Sequence, residues 1–421
     1  MSKEEPSLEV LMDVVIIGGG FAGLSCFQHI DRKKREVRLL TNRNHFLFTP
    51  LLPLAATGGV EVRSIVEPIT SFEKSPGEII IAEAVSADFE KKILHVRYDD
   101  GTFGEISYET LVIASGAVTA DYGIPGIHEY CYFMKEMKDA RKLREKILFQ
   151  FEKAAHLQGA ALDKALNFVI VGGGPTGVET ACEIHDLAQE DLKKIAPALI
   201  PHVKIQIIEA GPDILTVFDK ILVKYAEGKL KQKGILVKKN LAVKGMEKDK
   251  AILSNGESEE SETILWTAGN AAGGFTKKVA DTLKIKLGPQ GRFPIGLNLK
   301  IEGIPYDLYA IGDCAVMRDK QGQPVPQTAQ VAMKQGIFLG REISNRRNGE
   351  FSFKSMGMLA SLGSGSAIAD LGTFQFKGLL AWWFWKAAYI TRLVSLRNKL
   401  SVLFDWIKVR FFGRNTARIE F

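Results

Sequence analysis

The chain has few cysteines, and none stand in C-x-x-C spacing. Its 421 residues include four, Cys26, Cys131, Cys182 and Cys314, and only seven histidines. Neither type falls at metal-ligand spacing, so no metal site is expected. The thiols fit a reducing compartment. Cys26 and Cys182 read as small hydrophobes inside helices. No run of about 18 uncharged apolar residues occurs, so no transmembrane helix is expected. Met1 to Val10 is short and partly acidic. It lacks the basic, apolar and small-residue regions of a signal peptide and the arginines of a transit peptide. The net charge is only +6, too small to argue for nucleic acid, and no nucleic-acid partner is expected. Composition is that of an ordinary soluble globular protein, 46% hydrophobic and 25% charged. The length allows two or three domains with ample core.

What is present is glycine at special spacing. In Asp13-Val-Val-Ile-Ile-Gly-Gly-Gly-Phe-Ala-Gly23, four apolar residues read as a buried parallel strand. Gly18, Gly20 and Gly23 follow as G-x-G-x-x-G, and an apolar helix comes next. The first glycine allows a tight turn, the second lets backbone approach a pyrophosphate, and the third lets helix pack close on strand. Free N–H groups and the helix dipole then favour negative charge. The pattern recurs in Phe168-Val-Ile-Val-Gly-Gly-Gly-Pro-Thr-Gly177, with Gly172, Gly174 and Gly177. One such motif could be a strand–helix turn without a ligand. Two in the same context point to a bound flavin dinucleotide and a visiting nicotinamide dinucleotide.

Around the first motif, Glu36 to Leu40 reads as the second strand. Thr41 stands where an acid often holds the adenosine ribose. The stretch Arg43 to Pro53 contains Thr-Pro and Leu-Pro steps that argue against helix. It reads either as an apolar loop over the core or as a loop lining the flavin ring, with Thr49 and Pro50 nearest. Residues 60 to 110 read as antiparallel strands and hairpins. Thr110 to Gly116 reads as a buried strand ending in Ser115-Gly116. In Leu308-Tyr-Ala-Ile-Gly-Asp-Cys-Ala315, Gly312 and Asp313 end a strand where a carboxylate can accept from the flavin's ribityl chain.

Around the second motif, Lys204 to Glu209 reads as a strand with Glu209 at the ribose position. A carboxylate there accepts from ribose hydroxyls and repels a 2′-phosphate, so NADH is preferred over NADPH. Ile264 to Gly269 mirrors the Ser-Gly ending, with Gly269 at the nicotinamide dinucleotide. Glu179 lies early on the nucleotide helix. A carboxylate facing a bound anion is unfavourable, so it points either to solvent or towards the nicotinamide and flavin. The resulting fold class is α/β, with two Rossmann-like dinucleotide-binding domains. Residues 1–118 and 290–345 form the FAD-binding domain, 119–289 the NADH-binding domain, and 346–421 a C-terminal region.

That region is dense in aromatics, Leu379-Leu-Ala-Trp-Trp-Phe-Trp385, and basic beyond it, with Asp405 as the single acid to Arg418. Ile390, Leu393 and Val394, then Leu400, Leu403, Phe404, Ile407 and Phe411, recur at helical spacing. Tryptophans with a basic face suit amphipathic helices lying in lipid headgroups as a membrane anchor. Packing on the body, or a homodimer interface, are the other readings.

Together these motifs resemble the two-dinucleotide-binding-domain flavoproteins, and within them the type II NADH:quinone oxidoreductases. The resemblance covers almost the whole chain. It rests on both glycine motifs, on His45 to Pro53, Val62 to Ile69, Ile311-Gly-Asp313, Thr328-Ala-Gln-Val-Ala-Met-Lys-Gln-Gly336 and the basic aromatic C-terminus. It implies one non-covalent FAD, hydride transfer from NADH, and reduction of a membrane quinone in a respiratory chain without proton pumping. It places Gln330 beside the flavin where the quinone docks, Ala332 on the same wall, and Glu179 near the nicotinamide. The family's second glutamine is replaced by Lys334, which could donate to a quinone carbonyl. The expected place is the cytoplasmic face of the cell membrane, held peripherally. The rivals are a flavoprotein NAD(P)H reductase for another acceptor and a sulfide:quinone oxidoreductase-like enzyme, for which Cys131 lacks an evident partner. The non-enzyme alternative is an NADH-binding redox sensor.

Overall fold

The computed structural model describes residues 12–418. The stretch Met1 to Val10, expected to carry no signal peptide, lies outside the described residues. Along the chain run β1 (Met12–Ile17), α1 (Phe21–His29), β2 (Val37–Thr41), β3 (Ile79–Asp88), β4 (Ile93–Tyr98), β5 (Phe103–Ile113) and α2 (Met137–Ala154). Then come β6 (Asn167–Val171), α3 (Pro175–Asp186), β7 (Lys204–Ile208), β8 (Leu236–Lys238), β9 (Thr263–Trp266), β10 (Leu308–Ala310) and α4 (Ala329–Ser344). The chain closes with β11 (Met358–Ser361), β12 (Ala367–Asp370), β13 (Gln375–Gly378), α5 (Leu379–Arg392) and α6 (Leu396–Phe412).

The described chain divides into two compact units. One holds the residues up to Phe46, Pro68–Val118 and Asn270–Lys354; the other holds Leu47–Glu67, Thr119–Gly269 and the residues from Ser355 onward. In the first unit β3, β2, β1, β5 and β10 lie side by side in parallel. Val14, Val15 and Ile16 of β1 are fully buried, as a strand covered on both faces requires. The far half of β3 pairs antiparallel with β4, and β4 with β5. These are the hairpins predicted over 60–110, but Val62–Ile65 and Ile69–Phe72 are single 3₁₀ turns rather than strands. Helix α4 packs closely on α1. A Cβ on Gly336 would sit 2.2 Å from the Ala22 carbonyl oxygen, and one on Gly340 2.6 Å from that of Cys26.

In the second unit the order is β8-β7-β6-β9, all parallel. Every residue of β6 is buried. Helix α3 runs straight into a π-helical turn, Leu187–Leu192, and the path continues through a 3₁₀ segment, Pro197–His202. This insertion delays Glu209 beyond its usual spacing. Strands β11 to β13 form an antiparallel sheet that leads into α5 and α6.

One expectation is corrected here. The Thr-Pro and Leu-Pro steps do not prevent helix: Thr49–Leu51 is a 3₁₀ turn and Leu52–Ala55 an α-turn, each with proline in its first positions. Proline is tolerated there because the first N–H groups of a helix lack intrahelical partners anyway. The apolar stripe of α6 turns outward, as helices lying on a membrane would have it. Leu400, Leu403, Phe404, Ile407 and Phe411 are exposed, while Asn398, Val402 and Trp406 face inward. Among the described residues no helix is long and apolar enough to cross a membrane.

Candidate functional site

The three glycines of each motif have three different reasons to be glycine. Gly18 and Gly172 have φ of +111° and +110°, a region closed to ordinary side chains. A Cβ on Gly23 would lie 1.9 Å from the Gly18 carbonyl oxygen, and one on Gly177 2.0 Å from that of Gly172. Gly20 and Gly174 differ. A Cβ on either would meet nothing within 4 Å. Neither fold nor backbone conformation demands glycine there; each faces open space at the N-cap of its helix, with no side chain capping the first turn. A cradle that only a close ligand would fill, at a helix N-terminus, suits a dinucleotide pyrophosphate. The residues present therefore fit a dinucleotide at each motif.

Thr41 and Glu209 occupy equivalent places. A Cβ on Gly19 would lie 2.9 Å from Thr41 Oγ1, and one on Gly173 3.0 Å from Glu209 Oε2. Glu209 Oε2 accepts from the Gly173 N–H and Oε1 from the Gly211 N–H, both at 2.7 Å. The carboxylate is held in place with lone pairs left for ribose hydroxyls. Both strand-end glycines also have positive φ, +70° at Gly116 and +74° at Gly269. A side chain on Gly269 would strike the Tyr122 hydroxyl. Ser115 Oγ lies 3.4 Å from Thr276 Oγ1.

In the first unit, Gly312, Asp313, Thr328, Val331, Ala332 and Gln335 share one small cleft. Two residues not singled out from sequence build it. Gln335, buried, accepts from the Gly312 N–H at 2.7 Å and fixes the turn that carries Asp313. Buried Arg292 donates from Nε to the Asp313 carbonyl at 3.0 Å. Gln335 was within reach, one residue past Lys334 in the same motif. Gln330 is buried on α4. Lys334 is not at the cleft: its ammonium donates to the Lys354 carbonyl at 2.7 Å and lies over the Phe353 ring.

In the second unit Glu179 is buried, not solvated. Its Oε1 accepts from the Ser361 N–H at 2.9 Å. Burial pushes its carboxyl up to about 8, with the nearby Glu183 carboxylate adding to the rise and Ser361 and Trp385 opposing it. Trp385 lies tilted against Tyr389 with ring centres 4.5 Å apart, and Tyr389 meets Phe48, next to Thr49 and Pro50, edge-on at 6.1 Å. Ser361, Trp385 and Tyr389 carried no sequence signal towards Glu179, because the contact spans some 180 residues and depends on the C-terminal sheet.

All four cysteines are free, and burial pushes Cys26 and Cys131 up to about 12 and Cys314 to about 11, with Cys182 also well above its usual value. None is the activated thiolate that sulfide chemistry requires.

Residues 12–336 match the pyridine nucleotide-disulphide oxidoreductase family, and residues 356–415 match the NDH2 C-terminal domain. The chain belongs to the type II NADH dehydrogenases. It is 34% identical to the external NADH-ubiquinone oxidoreductase 2, mitochondrial, of Saccharomyces cerevisiae, over 96% of this chain and 82% of that one. It is also 34% identical to a probable NADH dehydrogenase of Dictyostelium discoideum, over 96% and 90%. In fold it is similar to the NDH2 of Plasmodium falciparum solved in complex with NADH, with a TM-score of 0.90 at 24% identity, over 97% of this chain and 100% of that one. The sulfide:quinone oxidoreductase of Aquifex aeolicus is more distant in fold, with a TM-score of 0.71 at 19% identity over 96% of each chain. That likeness shows a shared fold.

Proposed function

We propose that this chain is an NADH:quinone oxidoreductase that carries FAD, oxidises NADH and reduces a membrane quinone. The observation that carries the reading is the pair of matched cradles in which Gly20 and Gly174 alone lack any internal reason to be glycine. When bound, FAD supplies the two-electron chemistry between NADH and quinone.

We assign residues 1–118 and 290–345 to FAD and 119–289 to NADH. Gly18, Gly20 and Gly23 with Thr41 hold the adenosine diphosphate part of FAD. Asp313, on the turn fixed by Gln335 and Arg292, takes the ribityl chain, and Ser115, Gly116 and Ala332 line the flavin. Gly172, Gly174, Gly177, Gly269 and Glu209 hold NADH, and Glu209 sets the preference over NADPH. Gln330 contacts the quinone, and Lys334 joins it only by releasing the Lys354 carbonyl. Glu179 works near the nicotinamide as a carboxyl that can hold or release a proton, because burial keeps its proton affinity near the working pH.

The C-terminal helices dock peripherally on the cytoplasmic face of a membrane. Exposed Leu379, Leu380, Trp383, Phe384, Leu403, Phe404 and Ile407 support this. Covering each such side chain is worth roughly 1.5–3 kcal/mol, so a few immersed together suffice. A homodimer using the same face is the second reading of that exposure. The yeast relative is named external and mitochondrial.

Steady-state NADH oxidation with and without a short-chain quinone tests the function. Turnover should depend on the quinone, and Glu209→Gln should lose more with NADH than with NADPH. Quinone-independent turnover at the same rate would favour a reductase for another acceptor.

A further inference from the structure

The crossing of α5 and α6 holds two hydrogen-bond donors that the reaction does not use. Lys386 places its ammonium 3.9 Å from the centre of the Trp382 ring, 4.7 Å from Trp406 and 5.8 Å from Trp383. It forms no ion pair among the described residues. Burial holds it down to about 8, with the Glu183 carboxylate pulling the other way. Trp406 is 9% exposed, and its indole Nε1 finds no acceptor among the described residues. A half-buried cation and a buried N–H without acceptors are both costly. Asp405, the only acid on these two helices, is already engaged, accepting from the Glu61 N–H at 2.9 Å. No carboxylate of α5 or α6 therefore competes for Lys386.

We propose that Lys386, seated on the Trp382 and Trp406 rings, forms a recognition subsite for the phosphate of an anionic phospholipid. The ammonium donates to phosphate oxygens, and the acyl chains lie on exposed Trp383, Phe384, Phe404 and Ile407. This rests on the peripheral docking proposed above and names the lipid chemistry it selects. An anion answers the unpaired charge, which a neutral quinone carbonyl does not. The apolar surround suits a phosphate that arrives with hydrocarbon rather than a free hydrated one. Three tryptophan faces hold the ammonium in place through cation–π attraction.

The test uses full-length holoprotein and monomeric dihexanoylphosphatidylglycerol, followed by titration calorimetry. Wild type should bind it saturably, and inorganic phosphate at equal concentration should not displace it. Lys386→Gln should weaken binding about tenfold or more. Trp406→Leu, which removes an aromatic face from under the ammonium, should also weaken it. Lys386→Arg should restore most of the affinity, which guards against a folding defect. Lys408→Gln, an exposed lysine on α6, should leave it unchanged. Wild-type affinity in both Lys386→Gln and Trp406→Leu would overturn the proposal. So would displacement by inorganic phosphate, or a Lys386→Gln variant whose only defect is a raised KM for quinone. Sedimentation with phosphatidylglycerol vesicles separates the two levels. Wild type left in the supernatant sinks peripheral docking itself, whereas wild-type sedimentation with unaffected variants sinks only the subsite.

Discussion

Glu179 Oε1 accepts a hydrogen bond from the Ser361 backbone N–H at 2.9 Å. One residue sits on the nucleotide helix and the other ends the first strand of the C-terminal sheet. The bond fixes a buried carboxyl whose proton affinity burial raises to about 8 from an ordinary 4.5.

The native state thus holds this proton more tightly than the unfolded chain does. The associated stability is full below about pH 4.5 and is lost as pH rises through about 8. Glu179→Gln keeps a neutral side chain at every pH. Relative to wild type, its Tm should therefore gain as pH rises from 5 to 9, and the pH–rate profile should lose its ionisation near 8. A Tm difference that does not change across that range would count against a buried, proton-holding Glu179.

The two open glycines give a contrast. Gly20→Ala and Gly174→Ala meet no protein atom, so melting temperatures of the apoprotein should hardly move. Gly20→Ala should retain FAD at least about tenfold less tightly, a loss of roughly 1.4 kcal/mol. Gly174→Ala should keep its flavin and raise KM for NADH. Gly23→Ala, with its Cβ 1.9 Å from the Gly18 carbonyl oxygen, should fail to fold well. Flavin content by absorbance and the melting curves decide between them.

Arg414, just past α6, is buried and donates to Glu183 at 3.2 Å, Glu190 at 3.0 Å and Asp191 at 3.1 Å. Arg414→Gln leaves carboxylates buried without their cation. A loss of roughly 3–5 kcal/mol is expected, read by urea denaturation. A cost under about 1 kcal/mol would mean the cluster is as dispensable as a surface pair.

Leu403→Glu with Phe404→Glu changes two side chains that are 42% and 68% exposed. Folding and NADH oxidation with a water-soluble quinone should persist, while sedimentation with lipid vesicles should fall sharply. Unchanged sedimentation would leave the outward face to a partner copy or to solvent.

Much of this was legible in the chain because it is local. Glycine spacing, the β-branched runs before it and the strand-end Glu209 all act within a few residues. The two cradles follow from those patterns. What escaped is long-range or depends on direction. Apolar periodicity marks α6 as amphipathic but does not say which face turns inward, and Asn398 with Trp406 settles it by packing. Proline reads as a breaker until its position in a turn is known, as at Pro50 and Pro53. Lys334 and Gln335 are neighbours in sequence. Only helix phase sends one to the Lys354 carbonyl and the other to Gly312.

The central claim is tested most directly by mixing the flavin-loaded protein anaerobically with NADH, then with a short-chain quinone, while flavin absorbance is followed. Bleaching by NADH and rapid recovery on adding quinone is the result predicted. Bleaching with no recovery would contradict quinone as the acceptor, and no bleaching at all would contradict the NADH site built on Gly174 and Glu209.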